Sequence, residues 1–181
     1  MFDKLLKLDT IDATKIIDCL YYEIFYPNFV DTDTYLANKI KIDPQSYKKD
    51  DGKEMTFWHL ITRTHQYTIK NGKKFETKKE RLLDYDRAKR LHWVKKIIEN
   101  HLINEIKLFY KRESKGKKPI RLYLWLYDKD FVVILQKLGK SSSFLVTSFY
   151  ITNDAKREDY QKFYDEYRKG SNRDLIGCEW F

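Results

Sequence analysis

Three kinds of side chain in this sequence could move protons or hold an anion without a metal. They are a histidine set among apolar residues, arginines inside an apolar stripe, and hydroxyls in the middle of a strand-like segment. His59 lies in the stretch TFWHLITRT, residues 56–64. Phe57, His59, Ile61 and Arg63 alternate there with Trp58, Leu60 and Thr62, which predicts a strand with His59 at its centre. An imidazole titrates near neutral pH and can act as acid or base; a satisfied core histidine is the plainer alternative. Arg87 and Arg90 fall within ERLLDYDRAKRLHWVKKIIENHL, residues 80–102. At helical spacing they share a stripe with Leu83, Leu91, Val94, Ile97 and Ile98. A guanidinium on a packing face needs an anion, so they either line a phosphate pocket or pair with nearby acids such as Asp84 and Asp86. Thr147 and Ser148 sit mid-segment in SFLVTSFYI, followed by Tyr150, and their hydroxyls can bond a phosphate oxygen or an RNA 2′-OH.

These residues must be carried by a recognisable set of elements. Residues 11–26 have helical spacing, N-cap candidates at Asp9, Thr10 and Asp12, and a stop at Pro27. Residues 27–54 look irregular. Residues 65–79 contain an Asn-Gly pair and read as an exposed loop or hairpin. Residues 80–102 give the longest helical pattern. Strands are predicted at 104–112, 119–127, 130–137 and 143–151, and their short polar connections imply an antiparallel meander. A last helix covers 155–169. The expected fold class is α+β, with helices packed on one face of an antiparallel sheet of four to five strands. An N-terminal helical segment and linker, 1–54, precedes the main domain, 55–181.

Charge narrows the partners. The 181 residues carry 36 Lys and Arg against 27 Asp and Glu, a formal charge of +9. Residues 1–54 sum to −3, residues 63–121 to +12 and residues 122–181 to zero. A local basic excess attracts polyanions, nucleic acid first; a lysine-rich solvated surface is the bland alternative. Arg63, Lys73, Lys74, Lys78, Lys79 and Arg121 are the basic candidates for binding RNA within this segment. Tyr123 and Trp125 alternate with Leu122 and Leu124, so one face of that strand is either an exposed aromatic surface or a platform on which bases stack.

Other chemistries lack support. P-loop, GxGxxG and G-x-S-x-G motifs do not occur, and His65, His92 and His101 have no metal-ligand spacing. The carboxylates form no cluster of the kind a two-metal nuclease uses, so neither metal nor cofactor is expected. Two cysteines, Cys19 and Cys178, do not make a disulfide scaffold and fit a reducing cytoplasm. The longest apolar runs fall short of the ~20 residues that cross a bilayer.

The strings FWHLITR, RLLDYDRAKRLHWVKKIIEN, IRLYLWL, VVIL and FLVTSFYI together resemble a family of phage and prophage proteins. That family is related to the barnase–EndoU–colicin–RelE (BECR) superfamily of small ribonucleases. The likeness lies in an F-x-H segment, an R-x-x-R-x-x-W-x-x-x-I-I-E-N helix and a final strand ending L-x-T-S-F-Y, and it covers roughly residues 55–168. It implies helices preceding an antiparallel sheet, and a toxin- or phage-type endoribonuclease cleaving tRNA or mRNA by 2′-OH attack without a metal. On that likeness His59 is the acid or base, Arg87 and Arg90 hold the phosphate, and Thr147 and Tyr150 bind phosphate or orient the 2′-OH. In a regular strand Thr147 and Tyr150 point to opposite faces, so a bulge would have to bring them together. The alternatives are a non-catalytic RNA-binding protein and a phage accessory protein that inhibits a host defence factor on the same fold. An immunity protein is the further partner the likeness implies.

Overall fold

A computed structural model describes all residues from Met1 to Phe181 except Lys73, Lys115, Gly116 and Lys118. The first helical stretch starts as α1, Ile16–Cys19, continues as a π-helical segment, Leu20–Phe25, and ends as α2, Tyr26–Phe29. Pro27 therefore does not end the run. It lies in the first turn of α2, and its fixed φ is compatible with a helix. The segment expected to be irregular forms four short strands: β1 (Tyr35–Leu36), β2 (Ile40–Asp43), β3 (Lys49–Asp50) and β4 (Lys53–Glu54).

Two expectations fail next. The stretch around His59 is a helix, α3 (Met55–Ile61), not a strand. Its buried positions are Thr56, Phe57, Leu60 and Ile61, a spacing of 1, 3 and 1 that belongs to a helical stripe. The alternation of Phe57 and Ile61 around His59 is the part of the same pattern that imitates a strand. At Thr62 the backbone becomes extended, and the Thr62 hydroxyl donates back to the Trp58 carbonyl at 2.5 Å. The long helix expected over 80–102 is shorter and broken. Its first residues belong to strand β6 (Lys74–Leu83), which pairs with β5 (Thr62–Asn71) in an antiparallel ribbon. Helix α4 (Tyr85–Ala88) then starts under the Asp84 side chain, which accepts from the Arg87 amide at 3.2 Å. A turn leads to α5 (Trp93–Glu99).

The meander follows as read from the sequence: β7 (Ile106–Arg112), β8 (Ile120–Leu126), β9 (Phe131–Lys137) and β10 (Ser142–Tyr150), with helix α6 (Asp154–Arg168) after it. The main sheet has six strands rather than four or five, in the order β1-β2-β10-β9-β8-β7. The two added strands come from the N-terminal segment, and β2 runs parallel to β10. The fold is α+β.

The sheet is covered on both faces, not one. Leu122, Leu124, Phe131, Val133, Leu135 and Leu145 face a core shared with Leu20, Phe25, Phe57, Leu60, Val94 and Ile97. The alternate residues Phe109, Tyr123, Trp125, Val132, Ile134 and Phe149 form a second core against Tyr160 of α6. An antiparallel sheet can leave one face to water, but this one carries aromatics on both, and each large ring buried there is a sizeable gain. Among the described residues no helix is long and apolar enough to cross a membrane.

Candidate nucleic-acid interface

Helix α3 packs against β10, whose pairing with β2 ends at Phe144 while its pairing with β9 continues to Tyr150. Its last carbonyls have no partner within the helix. Two side chains supply one. Thr147 Oγ1 donates to the His59 carbonyl at 3.0 Å, and Arg87 Nη1 donates to the His59 and Thr62 carbonyls at 3.1 and 3.0 Å. The structure thus brings His59, Arg87 and Thr147 together, but through the backbone of His59. The residue is exposed overall, and neither side chain engages its partly desolvated imidazole.

That imidazole stands in a cationic field. Its pKa is pushed below the usual histidine range, first by loss of water around the ring and then by Arg81, Arg87 and Lys48. Neutral imidazole is therefore the dominant form at pH 7. Lys156, in the first turn of α6, is likewise pulled down, first by desolvation and then by Arg87 and Arg63; its ammonium lies 4.1 Å from the centre of the Phe149 ring. Asp84 is the acid among them. Its carboxylate pairs with Arg63 at 3.0 Å and with Arg87 at 3.2 Å, and its own side chain is only 8% exposed. Around the root of the β5–β6 ribbon one buried carboxylate thus holds two guanidiniums, while Arg81, Lys48 and Lys156 stand close by without an ion pair to it.

Arg90 and Tyr150 form a separate group. The Arg90 guanidinium lies 4.3 Å from the centre of the Tyr150 ring and 5.6 Å from that of Trp93. Arg90 Nη1 donates to the Asp86 carbonyl at 2.7 Å and pairs with its carboxylate at 3.3 Å. This matches the alternative reading, in which the stripe arginines pair with Asp84 and Asp86. The group lines a cleft of about 270 Å³ with Phe2, Asp3 and Lys129. β10 does carry a bulge, but at Val146, before both residues; from Thr147 to Tyr150 its pairing with β9 is regular. Thr147 and Tyr150 therefore stay on opposite faces, and the bulge does not unite them.

The aromatic platform is absent. Trp125 is fully buried and Tyr123 is 3% exposed, both under α6. Tyr123 donates its hydroxyl to Glu113, which also faces Arg121 at 3.9 Å and Lys111 at 3.8 Å. Arg121 further donates to Gln136 at 3.0 Å, so it serves the sheet surface. Lys74, Lys78 and Lys79 lie on the ribbon, exposed; Lys73 lies outside the described residues.

Three cations of this region were not singled out in the sequence. Arg81 falls in the helix predicted over 80–102, although it continues the basic run that ends at Lys79. Lys48 and Lys156 carry no local signal, because only tertiary packing brings them to α3. Comparisons with family models, curated proteins and solved structures find no match to this chain.

Proposed function

We propose that the protein binds RNA at the root of the β5–β6 ribbon. The observation that supports this most is the concentration of Arg63, Arg81, Arg87, Lys48 and Lys156 around the His59 imidazole and one buried carboxylate. Clustered cations of this kind raise the local concentration of phosphate and dominate affinity for nucleic acid. RNA rather than DNA follows from the BECR ribonuclease likeness of residues 55–168, which also suits a cytoplasmic protein of phage or prophage type.

A second reading, cleavage of that RNA, is favoured by the state of His59. A neutral imidazole at pH 7 can take the proton of a 2′-OH. The oxygen then attacks the adjacent phosphorus, the P–O5′ bond breaks, and the leaving O5′ takes a proton from water. The products are a 2′,3′-cyclic phosphate and a 5′-OH end. Arg81 and Arg87 stabilise the negative charge that builds on the non-bridging phosphoryl oxygens. Thr147 holds the end of α3, and Arg87 does so as well.

The test compares the wild type with His59→Ala on tRNA and total RNA in EDTA. The substitution leaves the His59 carbonyl, and so its bonds to Thr147 and Arg87, in place; the variant is expected to fold and to bind RNA. Cleavage is expected only from the wild type. Its rate should persist to lower pH than an ordinary histidine base allows and fall only as the pH passes through the depressed pKa of His59. Binding without cleavage by either protein leaves the binding reading and removes the catalytic one. An absence of RNA binding at physiological salt overturns both, and points to a protein partner such as a host defence factor.

A further inference from the structure

We propose that the β5–β6 ribbon is an arm for base-paired RNA, and that one of its two faces makes the contact. This rests on the RNA reading above and goes on to name the form of RNA. Each strand has ten residues, so the ribbon is roughly 33 Å long. Apart from Thr62, Ile69 and Leu83 its described residues are exposed, on both faces. A two-stranded ribbon with no covered face is marginal in water, and its 22 residues, 62–83, hold seven basic and two acidic side chains.

The register divides these charges unequally. Thr64 pairs with Arg81, Gln66 with Lys79, Thr68 with Thr77, and Lys70 with Phe75. Directly opposed residues share a face, so this face carries three cations, three threonines and a glutamine. Among its described residues it has no acid. The other face pairs Arg63 with Leu82, His65 with Glu80, Tyr67 with Lys78, Ile69 with Glu76, and Asn71 with Lys74, so it has as many cations, three, but sets two acids among them. The acid-free face also contains Arg81, one of the cations around His59. It therefore joins the root through a cation with no ion pair to Asp84, whereas Arg63, on the other face, is held by that carboxylate.

Its chemistry selects the ligand. Single strands are held by successive aromatic side chains on which bases stack. This face has one ring, Phe75, near its tip, and the sheet aromatics that offered a platform are buried. Hydroxyls and an amide between lysines are suited instead to 2′-OH and phosphate groups. A-form RNA displays these across its wide, shallow minor groove, where it is recognised by shape. The arm lies along such a groove and leads the helix toward the cationic root.

The experiment measures binding of the full chain to a 20-base-pair RNA duplex, to its separate strands and to the matching DNA duplex, over a range of salt. Two variants carry the same change in charge: Lys70→Glu with Lys79→Glu, on the acid-free face, and Lys74→Glu with Lys78→Glu, on the other. All four residues are exposed, so both variants are expected to keep the melting temperature of the wild type. The expected result is preference for the RNA duplex, with at least about tenfold more loss in the first variant than in the second. The first variant should also show a salt slope lower by about two. Equal loss from both faces, preference for the single strands, or equal binding of duplex DNA overturns this inference while leaving RNA binding intact. Failure of the wild type to bind any RNA overturns the proposed function itself.

Discussion

Asp84→Ala is expected to lower the melting temperature and, at the same time, to tighten binding to RNA. The opposite signs come from one carboxylate that does two things. It caps α4 by accepting from the Arg87 amide, and it neutralises Arg63 and Arg87. Loss of the cap costs about 1 kcal/mol. Leaving the largely buried Arg87 without its partner adds about 1–2 kcal/mol, whereas the Arg63 side chain is 59% exposed and its pair contributes little. For a chain of this size the total corresponds to a fall of roughly 4–12 °C. Two cations released from their counter-charge should steepen the salt dependence of RNA binding by about one unit each. Asp84→Asn keeps an acceptor for the Arg87 amide and removes the charge. It should therefore lose less stability than the alanine variant while showing the same gain in RNA affinity. Thermal melts and salt-dependent titrations of the two variants separate the cap from the charge. Weaker RNA binding by both would mean that Asp84 shapes the root rather than restraining its field.

The second large effect concerns the far face of the sheet. Tyr160 lies within 6.1 Å, centroid to centroid, of Phe109, Tyr123, Trp125 and Phe149, so it is the most buried of the α6 side chains that close that core, with Phe163, Tyr164 and Tyr167 beside it. Tyr160→Ala is expected to cost about 3–4 kcal/mol, the range for removing a large buried ring. Urea unfolding would show it as a lower midpoint, and Trp125 fluorescence should shift to the red as water reaches the indole. A midpoint within about 0.5 kcal/mol of the wild type would mean that α6 does not seal this face. Tyr123 and Trp125 would then return as candidates for stacking bases.

Much of the architecture was written in local sequence. The four meander strands, their polar turns and the last helix all follow from period-two and period-3.6 patterns with short connections, and the structure reproduces each within a few residues. The hairpin at Asn71–Gly72 was one of two readings of 65–79, and the ladder extends it to Thr62 and Leu83. The errors fell where a short segment fits two periods. Residues 55–61 alternate around His59 as a strand would, yet they bury positions 56, 57, 60 and 61, and the face they meet on the core decides for a helix. Residues 80–83 continue the helical spacing that follows them, but pairing with β5 claims them for a strand.

What tertiary structure alone decided is the company these residues keep. Alternation separates Tyr123 and Trp125 from Leu122 and Leu124, but it does not reveal that α6 covers the aromatic face, because both faces are apolar enough to bury. The stripe position of Arg87 and Arg90 announced that each needs a partner. The fold gave Arg87 a carboxylate and the end of α3, and gave Arg90 a carboxylate and the ring of Tyr150. Lys48 and Lys156, more than 100 residues apart, meet the ribbon root only through packing of α3 and α6 against the sheet. Local pattern determines which residues must be buried or paired, because that is a property of spacing and polarity. Which partner satisfies them depends on long-range geometry that no single segment contains.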